Sequence, residues 1–145
     1  MKSILLLTSI FFVLSFTISI NNSQEIKQIK YGTDFCSGKC DGYCNKEKIY
    51  NSKYLITKES YSRGKQIGKI DTIQMTSSRW TNICKYVDIN KFFKLPTITG
   101  SGGASDGGVE WVEIVTTKKT HKIKFDYNDN IKEIGALLVI LRNRK

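Results

Sequence analysis

Apolar residues fall along this chain in three patterns: an unbroken run, strict alternation and helical spacing. The unbroken run comes first. Ile4 to Phe16 is apolar except for Thr8, Ser9 and Ser15, with Lys2 before it and the small residues Thr17 and Ser19 after it. A positive start, an apolar stretch and small residues at a −3/−1 spacing form the layout of a secretory signal peptide. The pattern predicts a signal peptide over residues 1–19, with a mature chain starting between Ile20 and Ser23. A spanning helix needs roughly 20 apolar residues. No later run reaches that length, since Ile134 to Leu141 holds only eight residues. The mature chain is therefore not expected to be integral to a membrane.

Residues 20–31 are polar and predict a lead-in to a single domain over 32–145. Residues 48–60 carry β-branched and aromatic residues, with Tyr54, Ile56 and Lys58 on one face, and predict a strand. Gly64 and Gly68 mark a turn, and Asp71 to Thr76 predicts the returning strand. Ser77 or Ser78 then caps a helix in which Trp80, Ile83, Cys84 and Val87 share a face. Asp88 caps a second helical turn, ended by Pro96. Val109 to Thr116 and His121 to Tyr127 alternate around a short polar turn and predict a hairpin. Asn128 to Asn130 turn the chain into a closing helix whose Ile131, Ile134, Leu137, Leu138 and Leu141 form one stripe. The expected fold is α+β: an antiparallel sheet of about four strands, two main helices packed on one face, and a disulfide-stapled N-terminal loop.

Charge changes the picture. The chain carries 23 Lys and Arg against 13 Asp and Glu, a net +10. Removing residues 1–19 takes away only Lys2, so the mature charge is 10 − 1 = +9. Such a field attracts polyanions, which outside the cell means acidic polysaccharide, anionic lipid or extracellular DNA. The surface expected to use it combines Tyr50 and Tyr54 with Lys118, Lys119, Lys122 and Lys124. No nucleic-acid-binding motif is present, so no specific nucleic-acid partner is expected.

Four cysteines, Cys36, Cys40, Cys44 and Cys84, predict two disulfides in a secreted chain, with three pairings open. If all four are paired, one bridge ties Cys84 to the N-terminal cluster. On the chain-entropy model that bridge contributes roughly 3–4 kcal/mol. The C-x3-C-x3-C run lacks a C-x2-C knuckle and the single histidine, His121, is distant, so no metal and no cofactor are expected.

Catalytic chemistry is thinly represented. Asp106, Glu110 and Glu113 lie close in sequence, but strand alternation places Glu110 and Glu113 on opposite faces, against convergence on calcium or on a glycosidic bond. His121 lacks a nucleophile and an orienting acid. The segment from Thr99 to Gly108 holds Gly100, Gly102, Gly103, Asp106, Gly107 and Gly108. It lacks Gly-Lys-Ser/Thr and stands between a helix and a strand, so it reads as a flexible recognition loop, dispensable for folding, rather than a phosphate loop. Asn21-Asn22-Ser23 is a glycosylation sequon at the edge of the cleavage zone.

Tyr31-Gly-Thr-Asp-Phe35, Cys40-x-Gly-Tyr-Cys44 and Asp106-Gly-Gly-Val-Glu-Trp-Val-Glu-Ile114 resemble elements of a group of small secreted or periplasmic proteins of unknown function. That group shares a Cys-x-Gly-Tyr-Cys element and an Asp-Gly-Gly-x-Glu-Trp strand. A cysteine-containing segment often precedes its Asp-Gly-Gly. Here Ser101 to Ser105 carry none, so no disulfide pattern is carried over. The resemblance implies export, to the medium or a periplasm, and no activity. Together these readings lead to a secreted, monomeric, non-enzymatic binding protein for another protein or an anionic surface. Its rivals are a protease inhibitor, a small hydrolase and a cationic membrane-active defence protein.

Overall fold

Strand β1, Ile26–Asp34, lies in the middle of the molecule. The structure is a computed structural model that describes residues 24–35, 44–61, 66–101 and 107–143. The signal peptide expected over 1–19 lies outside the described residues. After β1 come β2, Asn45–Asn51, β3, Tyr54–Tyr61, and β4, Gln66–Gln74. Two short helices follow, α1, Ser77–Cys84, and α2, Ile89–Phe92. A hairpin, β5, Val109–Thr116, and β6, Thr120–Asp126, leads to a 3-10 turn at Lys132–Ile134 and to α3, Gly135–Arg142. The strands form one antiparallel sheet in the order β4-β3-β2-β1-β5-β6.

This architecture corrects the expected one. The described residues form six strands, not about four, and three short helices, not two main ones. The stretch read as a single strand over 48–60 is two strands. Asn51 Oδ1 accepts from the backbone N–H groups of Lys53 and Tyr54, both at 2.8 Å, and that side-chain turn folds β2 back on β3. The polar lead-in is largely β1 itself. Gln28 and Lys30 alternate with Ile29 and Tyr31, which are buried.

Register explains which face is covered. On the inner face, Ile29 stands between Tyr50 and Ile114, and Tyr31 between Lys48 and Val112. Leu55 extends the first row across β3 and Ile123 the second across β6. Ile83, Phe92, Ile131, Ile134, Leu137, Leu138 and Leu141 close over them to complete the core. The helices start on side-chain caps where the sequence offers them. Thr76 Oγ1 accepts from Arg79 N at 3.3 Å, and Asp88 Oδ1 from Lys91 N at 3.0 Å.

The disulfide framework also needs correction. Cys84 is a free thiol, and no disulfide joins two described residues. Cys44 is disulfide-bonded, but not to Cys84. Cys36 and Cys40 lie outside the described residues. Geometry forbids a bridge from Cys84 to Cys44. Cys84 borders a groove beside Ile26, where β1 begins, whereas the Cys44 carbonyl accepts from Phe35 N just past its end. The strand between spans roughly 26 Å at 3.3 Å per residue, and a disulfide requires α-carbons within about 7 Å.

Candidate functional site

The third row of the inner face changes character. It runs Glu59, Lys46, Thr33, Glu110, Phe125 across β3, β2, β1, β5 and β6. Here α3 ends and leaves the sheet uncovered, so polar side chains border a pocket of about 480 Å³, within the range typical of small-ligand sites.

Glu110 and Arg142 close one side. Arg142 Nε and Nη2 both donate to Glu110 Oε2, at 2.9 and 2.7 Å, and Nη2 also donates to the Asp129 carbonyl. The Glu110 side chain is 1% exposed. Its charge is tolerated in the interior because the guanidinium satisfies it. The Tyr31 phenol is also hydrogen-bonded to Glu110, and burial first, then the Glu110 charge, push the phenol far above its ordinary pKa. Tyr31 therefore stays a neutral donor.

Lys48 is buried, an unusual place for a lysine. Its ammonium donates to the carbonyls of Leu141 at 2.7 Å and Asn143 at 2.8 Å, where the last turn of α3 leaves acceptors without intrahelical partners. Lys46 pairs with Glu59 at 2.6 Å on the same wall. Three cations, Lys46, Lys48 and Arg142, thus share the pocket with two carboxylates, Glu59 and Glu110. Its rim is aromatic: Phe35 meets Tyr127 edge to face at 4.9 Å.

That rim holds one end of the glycine-rich segment. Gly108 has φ +86°, and a β-carbon there would fall 2.7 Å from Phe35 Cδ1. At the other end Gly100 has φ +72°, and Asp126 accepts from Ser101 N at 2.8 Å and from the Ser101 hydroxyl. Gly107 is exposed. Gly102, Gly103 and Asp106 lie outside the described residues.

The expected basic and aromatic surface is dispersed. Tyr50 is 3% exposed and belongs to the core, whereas Tyr54 is exposed. Burial pushes the Tyr50 phenol up to about 12. Lys118 and Lys119 sit in the β5–β6 turn, and Lys119 lies 4.1 Å from the Phe93 ring. Lys122 lies on the outer face, 3.6 Å over Trp111, and burial lowers its pKa. Lys124 is exposed on the same face.

Glu113 pairs with Lys30 at 2.7 Å on the outer face, away from Glu110. His121 Nε2 lies 2.9 Å from the Leu95 carbonyl, and its ring packs against Phe92 and Phe93. Its role is to tie α2 to β6. Cys84 borders a shallower groove of about 310 Å³ with Trp80, Val87 and Ile26, where burial pushes the thiol up to about 11. Among the described residues no group of His, Cys, Asp and Glu could hold a metal ion, and no helix is long and apolar enough to cross a membrane.

Sequence reasoning singled out Glu110 but not the pocket around it. The missed signal was in β2, where alternation sets Lys46 and Lys48 on the same face as Tyr50. A lysine in line with a core tyrosine marks the point where the covered face opens. Compared with known proteins, the chain matches no family model and no curated protein.

Proposed function

We propose that the protein is a secreted binding protein, without catalysis of its own, that takes an anionic group into the pocket at the end of α3. The observation that carries this reading is the convergence of Lys46, Lys48 and Arg142 on one pocket, against Glu59 and Glu110. Thr33 and Asn128 add hydrogen-bonding groups, and Phe35 with Tyr127 offers an apolar edge. The pocket suits one carboxylated or sulfated sugar unit at the end of a larger polyanion. The mature chain's net charge of +9 draws such a polymer in at long range. Glu110, the carboxylate a hydrolase reading would use, is engaged by Arg142 and Tyr31. Export is supported by the apolar run of residues 4–16 and by the resemblance to small secreted proteins.

Titration calorimetry with a sulfated disaccharide, glucuronate and uncharged glucose tests the proposal. Binding of either anion, weakened by added salt and by Lys46→Gln and absent for glucose, is the expected result. Equal response to glucose, or none to either anion, overturns the pocket's assignment. Recovery of the protein from the medium without residues 1–19 tests the export reading separately.

A further inference from the structure

The two edges of the sheet are treated differently. Along β6 the chain covers its own edge: Ile98 bridges to Lys124, with Thr99 N donating to the Lys124 carbonyl and Lys124 N to that of Thr97, both at 2.8 Å. At the other edge, among the described residues, β4 pairs only with β3. Every residue from Gly68 to Gln74 is exposed, including Ile70 at 54% and Ile73 at 53%. An uncapped edge strand is a template for another strand.

The sequence of β4 names its partner. It reads Gln66-Ile67-Gly68-Lys69-Ile70-Asp71-Thr72-Ile73-Gln74, which is nearly the same backwards as forwards. We infer that β4 pairs antiparallel with β4 of a second copy, about a two-fold axis through Ile70, to give a dimer with one sheet running through both chains. In that register Lys69 stands opposite Asp71 and Ile70 opposite itself; Gly68, which a bulge leaves without a partner in β3, faces Thr72, and beyond it the pairing is no longer regular. Each contact recurs across the axis, as an isologous interface requires. Lys69 and Asp71 pair within one strand at 2.9 Å, with about half of each side chain exposed. The second copy adds a Lys and an Asp in alternate order, making a square of four charges on one face. Opposite charges facing across strands favour this register, and like charges oppose it. A slip of one residue sets Ile70 against Asp71 and Lys69 against Thr72, and moves the side chains to opposite faces. The dimer replaces the monomer expected from sequence and is independent of the anion pocket.

Light scattering on the purified protein across micromolar to millimolar concentration reads the result. The wild type should pass to twice the chain mass, and the β4 amides should gain hydrogen-exchange protection as concentration rises. Lys69→Asp places four acids on the axis and Asp71→Lys four bases, so each variant alone should stay at one chain mass. An equal mixture should form a heterodimer, which also shows that both variants are folded. A wild type that stays at one chain mass overturns the inference. So do variants that dimerise separately, or a mixture that fails to associate.

Discussion

The indole of Trp111 covers the α-carbon of Gly32, its cross-strand partner on the outer face of the sheet. A β-carbon at position 32 would lie 2.3 Å from Trp111 Cε2 and Cζ2. The pair works because a residue without a side chain lets the ring lie down on the strand, and Lys122 then covers the ring from 3.6 Å. Trp111 is left 9% exposed on a face that otherwise meets solvent.

Gly32→Ala should therefore be destabilising, although alanine suits a strand no worse than glycine. Lifting the indole should cost about 1–3 kcal/mol, as overpacking does. Denaturant unfolding gives the loss, and a red-shifted tryptophan emission should accompany it. Unchanged stability would mean that the ring does not rest on Gly32.

Arg142→Ala should cost about 3–5 kcal/mol, because removing one partner leaves a buried carboxylate uncompensated. The double variant Glu110→Gln with Arg142→Ala should recover part of that loss. A double-mutant cycle measures the recovery, and simple additivity would show that the two side chains are uncoupled.

Lys48→Met keeps an unbranched side chain, one atom shorter, and removes the ammonium that holds the Leu141 and Asn143 carbonyls. The loss should be about 1–2 kcal/mol, the scale of hydrogen bonds and a cation at a helix C-terminus. Hydrogen exchange should accelerate in the last turn of α3 before it does in β5.

Burial raises the Cys84 thiol from 9.0 to about 11. Between about pH 9 and 11 the unfolded chain releases a proton that the native chain keeps, so stability falls as pH rises through that window. Tyr50 extends the same trend from 10.0 to about 12, and Lys122, lowered by burial, works against it. The difference between wild type and Cys84→Ala isolates the thiol: the wild type should lose stability more steeply from pH 9 upward. Parallel profiles would place the thiol in contact with solvent.

The β5–β6 hairpin and the apolar stripe of α3 were legible because each repeats a single period within one segment. Strand β1 was not. It is the middle of the sheet, yet it carries Lys27, Gln28 and Lys30, and its outer face is satisfied by partners far along the chain, as Lys30 is by Glu113. The turn at Asn51 was hidden because a side-chain carboxamide, not a glycine or proline, makes it. The helical face of Cys84 gave no measure of its distance from the other cysteines. The pocket escaped notice for a similar reason: register makes neighbours of Lys46, Thr33 and Glu110, and register is a property of pairing rather than of any one segment.

The central place of β1 sets the order in which the protein can assemble. On one side β1 meets β2 through a local reversal of the chain; on the other it waits for β5, with Lys30 and Glu113 separated by 83 residues. Short loops close before long ones. The meander of β1 to β4 can therefore form early, but with Ile29 and Tyr31 bare and both its edges open. Only when β5, β6 and α3 arrive does that layer gain its remaining strands and its main cover. The largest loop closure in assembly is thus the docking of the last third of the chain onto its first strand, and a meander without that layer would expose an apolar face and two strand edges.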